Sequence, residues 1–235
     1  MPCPVRAGHT FDVNELAEIW PLFGLRLVAG PLDLRPIRDD DIATLVSVAE
    51  RGIHDPAVMP FMYPWSDAPV AELGRNMAIH YWRNRAEFTP QHWGLELVVR
   101  WNDRIVGCQG FEAANYLVTR TGETGSWLGR EFQGQGIGTL MRQTLCAFVF
   151  DHLDAEEITS TAFLDNPASL AVSRKVGYVA NGQSREKRRD GELAFSQKLS
   201  LAPDALFRHG YDILVEGVEP VRRLIGLDES RSTPA

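Results

Sequence analysis

The sequence predicts one mixed α/β (α+β) domain over residues 32–200, with an N-terminal extension over 1–31 and a C-terminal one over 201–235. Three observations carry this. The 235 residues are 44% hydrophobic and 23% charged, enough apolar material for one good-sized core. The segments read in the order strand, helix, helix, three strands, helix, strand, helix, two strands, which is not a regular doubly wound alternation. One glycine-rich segment sits between a strand and a long helix, where chemistry is commonly placed.

Taken in order, Asn14 to Trp20 has room for one or two helical turns, and the rest of the first 31 residues reads as irregular lead-in. Leu32 to Ile37 alternates as a first strand. Asp39, Asp40 and Asp41 precede Ile42, Leu45, Val46 and Ala49, an acidic helix start followed by an apolar stripe. The prolines from Pro56 to Pro64 demand a loop, and Val70 to Arg85 returns to helical spacing. Trp93 to Arg100 and Arg104 to Glu112 are strands joined through Asn102-Asp103, a tight-turn pair. Thr121 to Leu128 is the next strand, and Thr139 to Leu153 is a helix with Ile137, Met141, Leu145, Phe148 and His152 on one face. Ile158 to Phe163 is a strand. Asn166, Pro167 and Gly177 then mark a helix by its N-cap, its first residue and its C-terminal stop. Tyr178 to Ala180 and Leu193 to Leu199 read as a last strand pair around a charged loop, Arg185 to Glu192. A strand at Tyr211 to Val215 and a short helix near Val221 close the chain.

Charge and composition exclude several classes. A net charge of −7 argues against a nucleic-acid backbone or an anionic membrane as main partner. No apolar run approaches the roughly 20 residues that span a bilayer. Met1 to Thr10 lacks the apolar stretch of a secretory signal, so a cytoplasmic protein is expected. Cys3, Cys108 and Cys146 show no CxxC spacing, and Cys108 and Cys146 read as buried thiols. The six histidines form no HxH, HExxH or Cys/His cluster, so no metal is expected.

The chemistry begins at Gln133-Gly134-Gln135-Gly136-Ile137-Gly138-Thr139. Glycine allows positive φ and close backbone approach. Successive amides at a helix N-terminus then face one concavity, which suits a phosphate or diphosphate. A P-loop would need Lys where Thr139 stands, and a dinucleotide fingerprint would need GxGxxG rather than GxGxG.

The pattern Gln-x-x-Gly-x-Gly, after Trp127-Leu128-Gly129 and before a long helix, resembles the pyrophosphate loop of the GNAT superfamily of acyl-CoA N-acyltransferases. Asn166-Pro167-Ala168-Ser169, followed by Ser173 and Lys175-Val176-Gly177-Tyr178, resembles a second element of that family. The closer likeness is to its RimJ/RimL-type branch. An actinobacterial group within that branch carries similar Trp20-Pro21-Leu22-Phe23, Gly52-Ile53-His54-Asp55-Pro56 and Met59-Pro60-Phe61 segments, and includes a succinyltransferase.

The resemblance implies a GNAT fold, with a mostly antiparallel, splayed sheet of about six to seven strands flanked by helices. It implies acetyl-CoA or succinyl-CoA as co-substrate, entering the gap between Thr121–Leu128 and Ile158–Phe163. The pantetheine arm would pair with Leu128, and the diphosphate would rest on Gln133, Gly134, Gln135, Gly136, Ile137, Gly138 and Thr139. Arg130 and Arg142 are near enough in sequence to help neutralise phosphates, and Asn166 and Ser169 would contact the cofactor arm. Glu123 is the expected base, with Glu112 and Asp55 as alternatives. Ser173 stands where many relatives place a tyrosine acid, and its expected catalytic role is to hydrogen-bond the departing sulfur or relay a proton to it through water. Backbone N–H groups of the splayed strand would hold the oxyanion.

The loop before the second helix supplies His54, Asp55, Met62 and Trp65 as acceptor-binding candidates, a composition suited to a cationic amine on an apolar stem. The expected acceptor is a small-molecule amine, a protein N-terminus or a lysine, and a homodimer is compatible with the C-terminal extension. A non-catalytic acyl-CoA-binding module and a nucleotide-dependent oxidoreductase are the competing readings; the GxGxG spacing speaks against the second.

Overall fold

The computed structural model describes residues 13–228. The segment Met1 to Thr10, with Cys3, lies outside the described residues. In chain order come α1 (Val13–Ile19), β1 (Arg26–Ala29), β2 (Leu32–Pro36), α2 (Asp39–Glu50), α3 (Val70–Ala86), β3 (His92–Trp101) and β4 (Arg104–Ala114). Next are the single turn α4 (Tyr116–Thr119), β5 (Thr121–Leu128), α5 (Ile137–Leu153), β6 (Glu157–Phe163) and α6 (Pro167–Val176). The hairpin β7 (Val179–Arg189) and β8 (Glu192–Leu201) follows, and β9 (Ile213–Glu216) and α7 (Val218–Leu224) end the chain. No described helix is long and apolar enough to cross a membrane.

The strands form one nine-stranded sheet in the order β7-β8-β6-β5-β4-β3-β2-β1-β9. Every neighbouring pair is antiparallel except β5 with β6. Helices cover both faces. On one, α2 and α3 set Leu45, Leu73, Met77 and Tyr81 against Val98 and Cys108. On the other, α5 buries Ile137, Met141, Leu145 and Phe148 in the larger core, joined by Val176 from α6 and Val218 and Val221 from α7. Cross-strand partners share a face, so Cys108 and Trp127, which pair, both point to the α2/α3 side.

Local chemistry explains the element ends. Asp41 accepts the Arg38 amide at 3.0 Å in a capping box that starts α2. Asn102 and Asp103 both take positive φ, +47° and +64°, as the two-residue β3–β4 turn needs. Asn166 caps α6 by accepting the Ser169 amide at 3.1 Å, and Gly177 at φ +113° stops it.

Three expectations are corrected. The sheet has nine strands rather than six to seven, because β1 and β9 add an edge. Part of the expected irregular lead-in is β1, which pairs Leu27 with Leu34 on one side and with Val215 on the other. The expected charged loop from Arg185 to Glu192 is instead mostly strand, turning only at Asp190-Gly191. β7 is an edge strand, so its Arg185 and Lys187 stay solvated while its backbone pairs with β8.

Candidate active site

The parallel ladder between β5 and β6 covers three residue pairs and stops at Glu123–Thr159, although β5 runs on to Leu128 and β6 to Phe163. A gap therefore opens in the middle of the sheet. The amide of Gly129 donates to Val106 O at 2.9 Å, which fixes the phase of the β4–β5 ladder. By the alternation of an antiparallel pair, the N–H and C=O groups of Ser126 and Leu128 turn away from β4 and face this gap. Leu128 O is taken by Gln133 Nε2 at 2.9 Å; the Leu128 N–H and both Ser126 groups are left without a ladder partner.

The glycine segment lies at the mouth of that gap. Gly134 and Gly136 sit at φ +74° and +84°, and a Cβ on either would meet nothing within 4 Å. The turn needs a left-handed backbone, and the space above it is open. Among the described residues, the amides of Gly134, Gln135, Gly136, Ile137 and Gly138 make no hydrogen bond within the chain. They lie at the N-terminus of the 17-residue α5, which is where an anion gains most from peptide dipoles. Two expected members differ. The Gln133 amide donates to Arg130 O and the Thr139 amide to Gly136 O, so both are engaged internally. Gln133 contributes through its side chain, bridging Ile53 O at 2.7 Å and Leu128 O. It ties the loop after α2 to the end of β5, a tether that the pattern did not announce.

The gap is polar on its α5 side. Arg142 was expected near phosphates; it is 5% exposed and projects instead between the parted strands. Its guanidinium donates to Ser126 Oγ at 2.7 Å and to Ser160 Oγ at 3.3 Å, while Nε has no partner. Arg130 is exposed, and its amide holds Gly52 O. Tyr178 Oη lies 2.9 Å from Thr124 Oγ1 and 3.5 Å from Cys146 Sγ. Burial pushes the Cys146 thiol up to about 11 and the Tyr178 phenol well above its ordinary value. Ser173, on α6, is 1% exposed, and its hydroxyl has no partner.

The opposite face carries carboxylates and aromatics. Glu112 and Glu123 are direct cross-strand partners, both exposed and both on the α2/α3 side. Glu123 makes no hydrogen bond or ion pair among the described residues; Glu112 lies 3.4 Å from His92 Nε2. Gly125, beside Glu123 on this face, leaves open space. The loop between α2 and α3 lies over the end of β5 through an aromatic chain. His54 meets Phe61 at 5.6 Å, Phe61 meets Trp65 at 5.2 Å, and Trp65 meets Trp127 at 5.7 Å.

His54 is also occupied in ordering that loop, through Asp55 O at 2.8 Å and Ser66 Oγ at 2.7 Å. Asp55 accepts the Ala57 amide at 3.0 Å, a local turn bond. Met62 is exposed at the loop surface. The hairpin tip latches the same loop: Arg189 donates to Asp67 at 2.7 Å and to Pro56 O at 3.1 Å. The Arg189 guanidinium holds the Asp67 carboxyl below the usual carboxylate range.

The arrangement is thus a split sheet, an open run of amides at its mouth, polar side chains beneath and carboxylates above. Residues 32–179, more than half of the chain, match the acetyltransferase (GNAT) domain family. The chain belongs to the GNAT acetyltransferase family. Its backbone is similar to that of "Mycobacterium smegmatis RimJ in complex with CoA-disulfide", with a TM-score of 0.66 and 19% identity over 85% of this GNAT chain and 92% of that one. It is also similar to the RimL ribosomal L7/L12 alpha-N-protein acetyltransferase solved with coenzyme A, with a TM-score of 0.62 and 19% identity over 76% and 97%. At these identities the likeness speaks for the GNAT fold. In sequence, 69 residues are 32% identical to "Putative ribosomal N-acetyltransferase YdaF" of Bacillus subtilis (strain 168); the match spans 29% of this chain and 38% of that relative.

Proposed function

We propose that the protein is an acyl-CoA-dependent N-acyltransferase that moves an acetyl group from acetyl-CoA to a primary amine by direct attack. The observation that carries this reading is the open run of amides from Gly134 to Gly138, set where β5 and β6 part. A diphosphate fits there because the space over Gly134 and Gly136 is open and the donors are unsatisfied. The Leu128 N–H and the Ser126 groups, without a ladder partner, suit the amide-bearing arm of coenzyme A and the oxyanion. Asn166 and Ser169, at the start of α6, are the side chains proposed to contact the same arm.

An alkyl ammonium has a pKa near ~10.4 and must lose a proton before it attacks. Glu123 is the base in this account, reached directly or through one water. It lies on the face where the aromatic loop with His54, Asp55, Met62 and Trp65 would receive the apolar part of the acceptor. Two adjacent carboxylates, Glu112 and Glu123, favour a cationic approach to that face. The relatives named for ribosomal substrates make a protein N-terminus the first acceptor class to try, ahead of lysines and small amines.

Succinyl-CoA is the second donor to test, since its distal carboxylate needs a cation inside the site. The test is calorimetric titration with acetyl-CoA, succinyl-CoA and NADH, followed by thioester release against an amine and peptide panel. Binding and turnover with a thioester support the reading. Binding without turnover on any amine favours a non-catalytic module, and failure of both thioesters to bind removes the reading.

A further inference from the structure

We propose that Arg142 is an electrostatic catalytic residue, which stabilises the thiolate leaving the acyl donor in place of a general acid. The inference rests on the acyl-CoA reading above. Arginine keeps its charge at any working pH, and a buried charge without a counter-ion is costly. Arg142 is nevertheless buried, and among the described residues its partners are two hydroxyls, Ser126 and Ser160.

Among the described residues, no anion balances it. The ionisable groups beside it are Cys146 on the same helix and Tyr178 just before β7, and burial holds both neutral. β5 and β6 present hydroxyls here, from Thr124, Ser126 and Ser160, while Glu123 points to the other face of the sheet. The cation therefore waits for an anion that arrives from outside, and its position bridges the two strands where they part.

Transfer creates such an anion. Glu123 has by then taken the ammonium proton; the amine lone pair forms the C–N bond at the thioester carbon, and the second proton lost from nitrogen passes to water. The C–S bond breaks, and its electron pair leaves on sulfur. A serine hydroxyl is too weak an acid to protonate a thiolate, so Ser173, with its unpartnered hydroxyl, offers sulfur a hydrogen bond and no proton. A buried guanidinium supplies the missing stabilisation without proton transfer.

The test is the titration of the thiol of bound coenzyme A, followed by the ultraviolet absorbance of its thiolate. Free coenzyme A, titrated alongside, gives the reference value. In the wild type and in Arg142→Lys, the bound thiol should titrate about one unit lower, a tenfold shift in ionisation. In Arg142→Met, it should titrate at or above the free value, and kcat should fall more than tenfold with little change in KM for acetyl-CoA. Methionine replaces a buried charge at little cost to folding, which the melting temperature checks. If Arg142→Met does not fold, the wild-type titration decides alone.

An unshifted thiol in the wild type, or the same shift in Arg142→Met, overturns the inference. So does binding of succinyl-CoA tenfold tighter than acetyl-CoA that disappears in Arg142→Met, because the cation would then serve a donor carboxylate. If the wild type does not bind coenzyme A, the acyl-CoA reading itself fails and takes this inference with it.

Discussion

Replacing Gly136 separates charge from shape in the amide cradle. The residue is exposed at φ +84°, and a side chain there meets nothing within 4 Å. Asn and Asp both tolerate the left-handed region and have nearly the same volume. Gly136→Asn should therefore fold and bind coenzyme A within a few-fold of the wild type. Gly136→Asp puts a carboxylate about 5 Å from a diphosphate seated on the amides. At an effective dielectric of about 40 this repulsion is about 1.7 kcal/mol per unit charge, more than tenfold in affinity. Calorimetric titration of both variants at low and high salt reads the difference. The Asp variant should lose at least tenfold against the Asn variant, and part of that loss should vanish in high salt. Equal affinities in two folded variants would refute an anion site at this turn.

Two further predictions follow from other parts of the molecule. Glu123→Gln should slow acyl transfer by about a hundredfold at low pH and less at high pH, because an amine already deprotonated needs the base less; a loss independent of pH in the rate profile would assign Glu123 a structural role. His209 lies in the C-terminal tail against α5, where Nδ1 accepts the Tyr211 amide at 3.2 Å and Nε2 lies 3.0 Å from Thr144 Oγ1. Burial lowers its pKa, so the folded state binds fewer protons than the unfolded chain. The stability it contributes is present above the unfolded value of ~6.5 and is lost as pH falls below it. The protection of residues 207–213 against hydrogen exchange, taken relative to the intrinsic rate at each pH, should fall as pH drops below ~6.5, and His209→Gln should remove that fall.

Sequence patterns carried the elements whose ends are chemically marked. Asn166, Pro167 and Gly177 bracket α6 because a cap, a donor-free first residue and a left-handed stop are local requirements. Gly134 and Gly136 announced their turn for the same reason. What escaped depends on distant partners. β1 is four residues long and acquires its strand character from Leu34 and Val215, the second of these far along the chain. The charged β7 has little apolar alternation, and only its ladder with β8 makes it a strand. Arg142 was misplaced because α5 is buried on nearly all sides, so helical periodicity gave its second turn no outward face. Its destination is set by the opening between β5 and β6, a tertiary feature. The Gln133 tether was hidden likewise, since its acceptors Ile53 and Leu128 meet only in the fold.

The central claim is that the amides from Gly134 to Gly138 hold the two linked phosphates of coenzyme A. A crystal structure of the complex with acetyl-CoA tests it most directly. Diphosphate oxygens are expected within hydrogen-bonding distance of those amides, with the thioester between β5 and β6. A diphosphate bound elsewhere, or the same amides closed on carbonyls of the chain itself, would contradict it.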